Sequence, residues 1–317
     1  MNNYLTKIQE LELLSALDTR GESPTKFMYL GDGFKRWIKI AEESRNHEAV
    51  QFQENKLKIE SLPFIFRHID KDDTVNIIDL GCGDGIPMLP VFDELKNNKS
   101  LKYIPIDISD EMLAVAKKNV SDNFPTIDVI PIQFDFEKSE TLEELFSITR
   151  GEKAKNFFFL LGNTLGNFDN TEKILTNIKL LMSPNDYLII GNEISNLLAS
   201  PKLVNYYKTD EVFRISTTTL QNYGANLSKE EFDVRWNTHL KQIEIFVKLN
   251  ANREIKIADQ SVYFEKGEEI MLIISKKFTE DSLMVLFNKV GFRTDFFTSN
   301  KKKDTCIISI SPTRYKS

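Results

Sequence analysis

Apolar positions recur at helical spacing through residues 1 to about 70, in amphipathic segments near Leu5–Leu17, Phe34–Glu43 and Phe52–Ile69, with a break at Gly31-Asp32-Gly33. None of these segments has the short apolar run of a first strand in a doubly wound sheet. From Val75 onward the pattern changes to strand-like runs separated by helical ones. Ile77 and Ile78 lead into Asp79 and a glycine-rich loop, and further runs follow at Tyr103–Ile106, Asp128–Gln133, Asn156–Leu161 and Tyr187–Gly191. Between the first two of these later runs, Ser109 is placed to cap a helix whose apolar spacing runs through Met112, Val115, Ala116 and Val120. Such alternation predicts parallel strands joined by helical crossovers.

The period changes again near Asn196. A helix is predicted through Leu203–Tyr207, and then alternating runs at Phe232–Trp236, Ile243–Leu249 and Ile255–Ile257 predict antiparallel strands, with Asn250-Ala251-Asn252 as a turn. After Ser275 come a helix, Glu280–Val290, and two closing strands, Phe292–Thr298 and Cys306–Ser311. The expectation is an α/β sheet of seven strands from residues 71–195 and 276–317. Residues 1–70 and 196–275 are expected to form a second, α+β domain.

The stretch VNIIDLGCGDG, Val75–Gly85, carries the chemistry. Its glycines at 81, 83 and 85 suit a strand-to-helix turn in which a ligand approaches the main chain closely. A dinucleotide fingerprint needs glycine or alanine where Ile86 stands, so no pyrophosphate is accommodated. The pattern fits a nucleoside carrying an amino acid, namely S-adenosylmethionine, held by Asp79, Gly81 and Gly83. Asp107, with Ile108 beside it, ends the second strand where an acid accepts both ribose hydroxyls; helix capping is the plainer alternative. Asp135 and Phe136, ending the third strand, are candidates for the adenine amino group and ring. The segment LGNTLGNF, with Asn163 and Asn167, follows the fourth strand at the sheet's carboxyl edge, where ligands bind in such folds.

Composition narrows the partners. With 41 basic and 47 acidic residues the net charge is −6, without the basic excess of a nucleic-acid binder, and Lys301–Lys303 reads as a hairpin turn. The two cysteines suggest no disulfide scaffold, and His47, His68 and His239 show no metal-ligand spacing. No run of 18 apolar residues and no leader-like N-terminus occur, so no membrane partner and a cytoplasmic location are expected. Oligomeric state is left open.

Taken together, VNIIDLGCGDG, PIDIS, LGNTLGNF and EKGEEIMLIISKKF followed by VGF resemble the class I S-adenosylmethionine-dependent methyltransferases with their Rossmann-like sheet. More narrowly, the chain resembles the histidine-specific N-alpha-methyltransferases, whose best-known member trimethylates histidine on the ergothioneine pathway. That resemblance implies that Asn167 holds the acceptor's amino group and Tyr207 its carboxylate. Ser275 would line the acceptor pocket, with Tyr29 contributed by the N-terminal helices. The chain also departs from the family. Ile273 stands where the histidine enzymes carry an imidazole-binding glutamate, and Ile245 replaces a methionine on the imidazole's other side. NHEAVQFQ lacks the family's paired tyrosines.

The expected activity is therefore N-methylation of an amino acid or related small amine other than histidine. The alternatives are a class I methyltransferase acting on a peptide, protein or oxygen acceptor, and a silent cofactor-binding regulator. No Pro-Pro follows the asparagines, as a base-methylating motif would require.

Overall fold

The structure, a computed structural model, describes residues 4–45, 50–135, 137–138, 154–194 and 201–313. It divides into two compact units, Met1–Glu43 with Leu197–Lys277 and Ser44–Asn196 with Phe278–Ser317.

The second unit is built on a mostly parallel sheet. Its strands are β1 (Thr74–Leu80), β2 (Ser100–Asp107), β3 (Asp128–Val129), β4 (Ile132–Gln133), β5 (Ala154–Leu160), β6 (Tyr187–Glu193), β12 (Phe292–Ser299) and β13 (Thr305–Pro312). They lie in the order β12-β13-β6-β5-β1-β2-β3, with β4 also pairing with β2. β13 runs antiparallel between β12 and β6, and the other pairs are parallel. The predicted third strand, Asp128–Gln133, is thus one edge position interrupted at Ile130-Pro131, where proline has no N–H to give the ladder.

Helices cover both faces, which is why the central strands read as unbroken apolar runs. On one face Leu57 and Leu62 of α3 (Val50–Ile65), Phe92 of α4 (Leu89–Leu95) and Val120 of α5 (Asp110–Asn123) bury Ile77, Tyr103, Phe157 and Phe159. On the other, Ile174 and Ile178 of α6 (Thr171–Leu181) and Leu283 and Phe287 of α10 (Glu280–Val290) bury Ile78, Ile104, Phe158 and Leu160. α5 starts as predicted, Ser109 Oγ accepting the Met112 N–H at 3.3 Å. The first boundary differs from expectation. The chain enters this unit at Ser44, not near residue 70, because α3 lays its apolar face on the sheet and joins its core.

The first unit joins two distant segments. Its helices are α1 (Lys7–Arg20), α2 (Asp32–Ser44), α7 (Pro201–Tyr207), α8 (Asp210–Ser216) and α9 (Thr218–Asn222). A sheet in the order β11-β8-β7 combines β7 (Phe232–Asn237), β8 (Gln242–Lys248) and β11 (Glu269–Lys276), beside a separate hairpin of β9 (Arg253–Ile257) and β10 (Gln260–Phe264). The Asn250–Asn252 turn therefore leads from one sheet to another rather than joining paired strands. Side-chain and backbone hydrogen bonds tie the segments together. Tyr223 Oη donates to Glu10 Oε1 at 2.9 Å, Tyr4 Oη donates to Thr219 O at 3.1 Å, and Met271 N donates to Gly21 O at 2.8 Å.

Because Phe158 is fully buried in the sheet, Phe158→Ala is expected to cost about 3–5 kcal/mol. Tyr263→Ala, at a side chain 73% exposed, is expected to cost less than about 0.5 kcal/mol. Urea denaturation followed by circular dichroism measures both; equal midpoints for the two variants would contradict the packing described.

Candidate functional site

β1 delivers Asp79 and Leu80 to the carboxyl edge of the sheet, and the chain turns there through Gly81, Gly83 and Gly85 with φ of 72°, 53° and 70°. Gly81 N and Cys82 N both donate to Ile106 O, at 2.8 and 3.1 Å, so the loop is bound to the end of β2. A side chain at Gly85 would stand 3.0 Å from Ala116 Cβ; glycine lets the loop lie against α5.

Asp107 is the centre of this edge. It is buried, and its two oxygens accept Gly83 N–H at 3.2 Å and Ser109 N–H at 3.0 Å. Burial pushes the carboxyl up to about 6, opposed by the amides of Ser109, Gly83 and Ile108. Asp79, also buried, accepts the Tyr103 hydroxyl at 2.9 Å. Burial pushes it up to about 7 against that hydrogen bond and the charge of Lys58, and Asp107 adds to the rise. Phe134 N donates to Asp107 O at 2.9 Å and Gln133 Nε2 to Ile108 O at 3.0 Å, which brings Asp135 to the same edge. Asp135 accepts Glu137 N–H at 3.1 Å. Phe136 lies outside the described residues.

The loop after β5 is the neighbouring wall. The switch in strand order falls between β1 and β5, so the loops leaving these two strands flank the crevice where open α/β sheets bind ligands. Asn163 takes the left-handed conformation, φ 60°, and its Oδ1 accepts Glu193 N–H at 3.2 Å. Asn167 ends the short 3-10 helix Thr164–Asn167, is half-buried, and makes no side-chain hydrogen bond to another described residue. A glycine turn with positive φ and an acid whose oxygens are held by amides fit an adenosyl ligand, whose ribose hydroxyls could donate to Asp107.

In the first unit, four of the residues suggested for the acceptor come together. Ile273 stands opposite Ile245, and Ser275 opposite Ile243, so Ile273, Ile245 and Ser275 project, together with Ile243, to one buried face of the three-stranded sheet. Tyr207 Oη lies 3.1 Å from Ser275 Oγ and accepts a hydrogen bond from Lys277 Nζ at 2.8 Å. Tyr29 ends the short 3-10 helix Thr25–Tyr29, which Thr25 Oγ1 ties to Leu272 O at 3.3 Å.

Sequence reasoning missed Glu54, Lys58 and Lys277. All three are charged residues with little exposure, at 8%, 1% and 7%. Glu54 and Lys58, one helical turn apart, have the spacing of a solvated surface pair, and only the fold reveals that they are buried. Burial lowers Lys58 to about 8 against the pull of Glu54 and Asp79, and burial also raises Glu54. Among the described residues no cluster of His, Cys, Asp and Glu could hold a metal ion, and no helix is long and apolar enough to cross a membrane.

Two predictions follow from Asp107. Asp107→Ala is expected to weaken S-adenosylmethionine binding about tenfold or more, the loss of charge-assisted hydrogen bonds, as read by calorimetry. Unchanged affinity would remove the ribose assignment. The pH dependence has a definite sign. In the free protein burial favours the neutral carboxyls of Asp107 and Asp79. A cationic ligand favours their ionised forms, so binding releases protons, and affinity should rise between about pH 5 and 7.5 and level off above. Flat affinity across that range would contradict it.

Known proteins share the fold and part of the sequence. The structure of a CurJ carbon methyltransferase superposes with a TM-score of 0.53 at 11% identity, over 97% of this chain and 68% of that one, a likeness of fold. Over 86 residues the chain is 34% identical to a tRNA (guanine-N(7)-)-methyltransferase from Clostridium botulinum (strain Alaska E43 / Type E3). The match covers 27% of this chain and only 35% of that relative. The sequence model described as "Histidine-specific methyltransferase, SAM-dependent" matches residues 10–311, nearly the whole chain, and the protein belongs to that family of S-adenosylmethionine-dependent methyltransferases.

Proposed function

We propose that the protein transfers a methyl group from S-adenosylmethionine to the amino group of an amino acid or related small amine whose side chain is more apolar than histidine. The observation that carries this is the Ile273–Ile245 pair beside Ser275. An imidazole leaves water only at a cost unless its N–H finds an acceptor, and neither isoleucine supplies one. The nearby Tyr207, Ser275 and Lys277 hydroxyl and ammonium groups suit a carboxylate. At net −6 the chain is poorly matched to a nucleic-acid acceptor.

The bound donor supplies an electrophilic methyl group on a sulfonium. The protein's own residues position the partners and exclude water, and no protein nucleophile is needed. Asp107 and the glycine loop hold the nucleoside, with Asp79, Ile108, Asp135 and Asn163 around it. Asn167 offers its side-chain carbonyl to an N–H of the acceptor, which turns the nitrogen lone pair toward the methyl group. An amine with a pKa near ~8 has a usable neutral fraction at neutral pH, so a strong base is dispensable.

The test is a panel of free amino acids and small amines incubated with the protein and S-adenosylmethionine, followed by S-adenosylhomocysteine release. Apolar amino acids are expected to turn over faster than histidine, and Asn167→Ala is expected to cut the best rate about tenfold or more while S-adenosylmethionine still binds. Histidine as the best acceptor would overturn the pocket assignment. Donor binding without any turnover would instead favour a cofactor-binding regulator.

A further inference from the structure

Three charged side chains from one stretch of the second unit reach the loops at the carboxyl edge of its sheet. Arg45 Nη2 donates to Asp84 Oδ2, just inside the glycine loop. Lys58 Nζ donates to Pro87 O, where that loop runs into its helix. Glu54 turns to the other wall: its two carboxylate oxygens accept the Gly162 N–H at 3.0 and 3.1 Å, while the next amide, Asn163 N–H, donates to Gly191 O at 3.3 Å. Glu54 and Lys58 are four residues apart on α3, so they share a helix face and can act on both loops at once.

Stability alone is a weak reason to keep such groups. A buried charge pair loses hydration that its mutual attraction barely returns, and apolar residues of the same volume commonly serve as well. What Glu54 supplies instead is direction, since the Gly162 amide is held between both oxygens of one charged acceptor. The loop needs such an anchor, because Asn163 sits at φ 60°, where a non-glycine residue is strained. Gly191 on β6 completes the fit. A Cβ there would fall 2.5 Å from Glu54 Cδ and 2.8 Å from each carboxylate oxygen, so glycine leaves the space that the carboxylate fills.

We propose that Glu54 is a positioning residue for methyl transfer: it holds the Leu161–Asn167 loop by the amide of Gly162, with Lys58 as its counter-charge, and so sets where Asn167 presents its side chain. The link to transfer rests on the reading of Asn167 as the group that receives the acceptor's amine.

Hydrogen–deuterium exchange of the full-length protein tests it. Glu54→Ala should speed exchange of the Gly162 amide about tenfold or more, with peptides from α10 unchanged. Glu54→Gln keeps an oxygen acceptor in the same place and should recover most of the protection. With the best acceptor from the amino-acid panel, Glu54→Ala should lower kcat about tenfold while the S-adenosylmethionine Kd stays within about threefold. Wild-type exchange rates in Glu54→Ala, or rates in Glu54→Gln as fast as in Glu54→Ala, would overturn the proposal. If Glu54→Ala fails to fold, Gly191→Ala displaces the carboxylate by contact and should loosen the same Gly162 amide; unchanged exchange there would overturn it equally. Full turnover by Asn167→Ala alongside the expected exchange results would sink the acceptor reading and its link to transfer, while the hold on the loop stood.

Discussion

The Asp107 carboxylate accepts one N–H from the glycine loop and one from the start of α5, and through these bonds the ends of β1 and β2 become a single edge. Three residues of that loop have positive φ, so local preference alone would leave it mobile. Its shape comes from outside: the Ile106 carbonyl takes two of its amides, Asp107 takes a third, and Ala116 closes on Gly85. An acid satisfied only by amides remains an acceptor toward a ligand's hydroxyls, since a carboxylate has more lone pairs than these bonds use. Structure and chemistry therefore depend on the same group. Burial lifts that carboxyl to about 6, and a positive ligand nearby would draw it back toward the ionised form.

Much of the second unit was legible because its sheet is covered on both faces. Phe157, Phe158, Phe159 and Leu160 alternate between the two cores, and covering both leaves an unbroken apolar run that a sequence displays plainly. Ser109 was legible as a cap for a local reason, its side chain bonding within its own helix. The edge strand was harder. Pro131 splits it into β3 and β4, and two-residue ladders leave almost no periodic signal. β10, Gln260–Phe264, escaped notice because Ser261 and Tyr263 face outward beside Glu254, and five residues give the alternation little length. The short helices α8 and α9 are held by Thr209, Thr217 and Thr218 hydroxyls more than by an apolar stripe.

The candidate site divides along the same physical line. Acids at strand ends and glycines at turns were legible because the backbone demands them there. Lys277 was not, because its reason is a hydroxyl contributed from Tyr207, seventy positions away in the chain. Glu54 and Lys58 were hidden by a pattern that ordinarily means solvent. Their burial follows from where α3 lies, and that is set by Leu57, Leu62 and Ile65 on the same helix. A charge on a helix can be read only together with the face that carries it inward.

The acceptor side of the chemistry turns on an asymmetry in how pockets discriminate. An apolar surface separates ligands that differ by a methylene only weakly, whereas a site built with a hydrogen-bonding group rejects whatever leaves that group unpaired far more strongly. With isoleucines at 273 and 245, no side chain at those two positions would be left unpaired by an apolar amino acid. The cost falls instead on a polar ligand, which must give up water for nothing. On the proposed amino-acid reading, discrimination among apolar side chains at this face should then be shallow, and the sharper selection should come from the polar groups of Tyr207, Ser275 and Lys277, which would read the part of the molecule that all amino acids share.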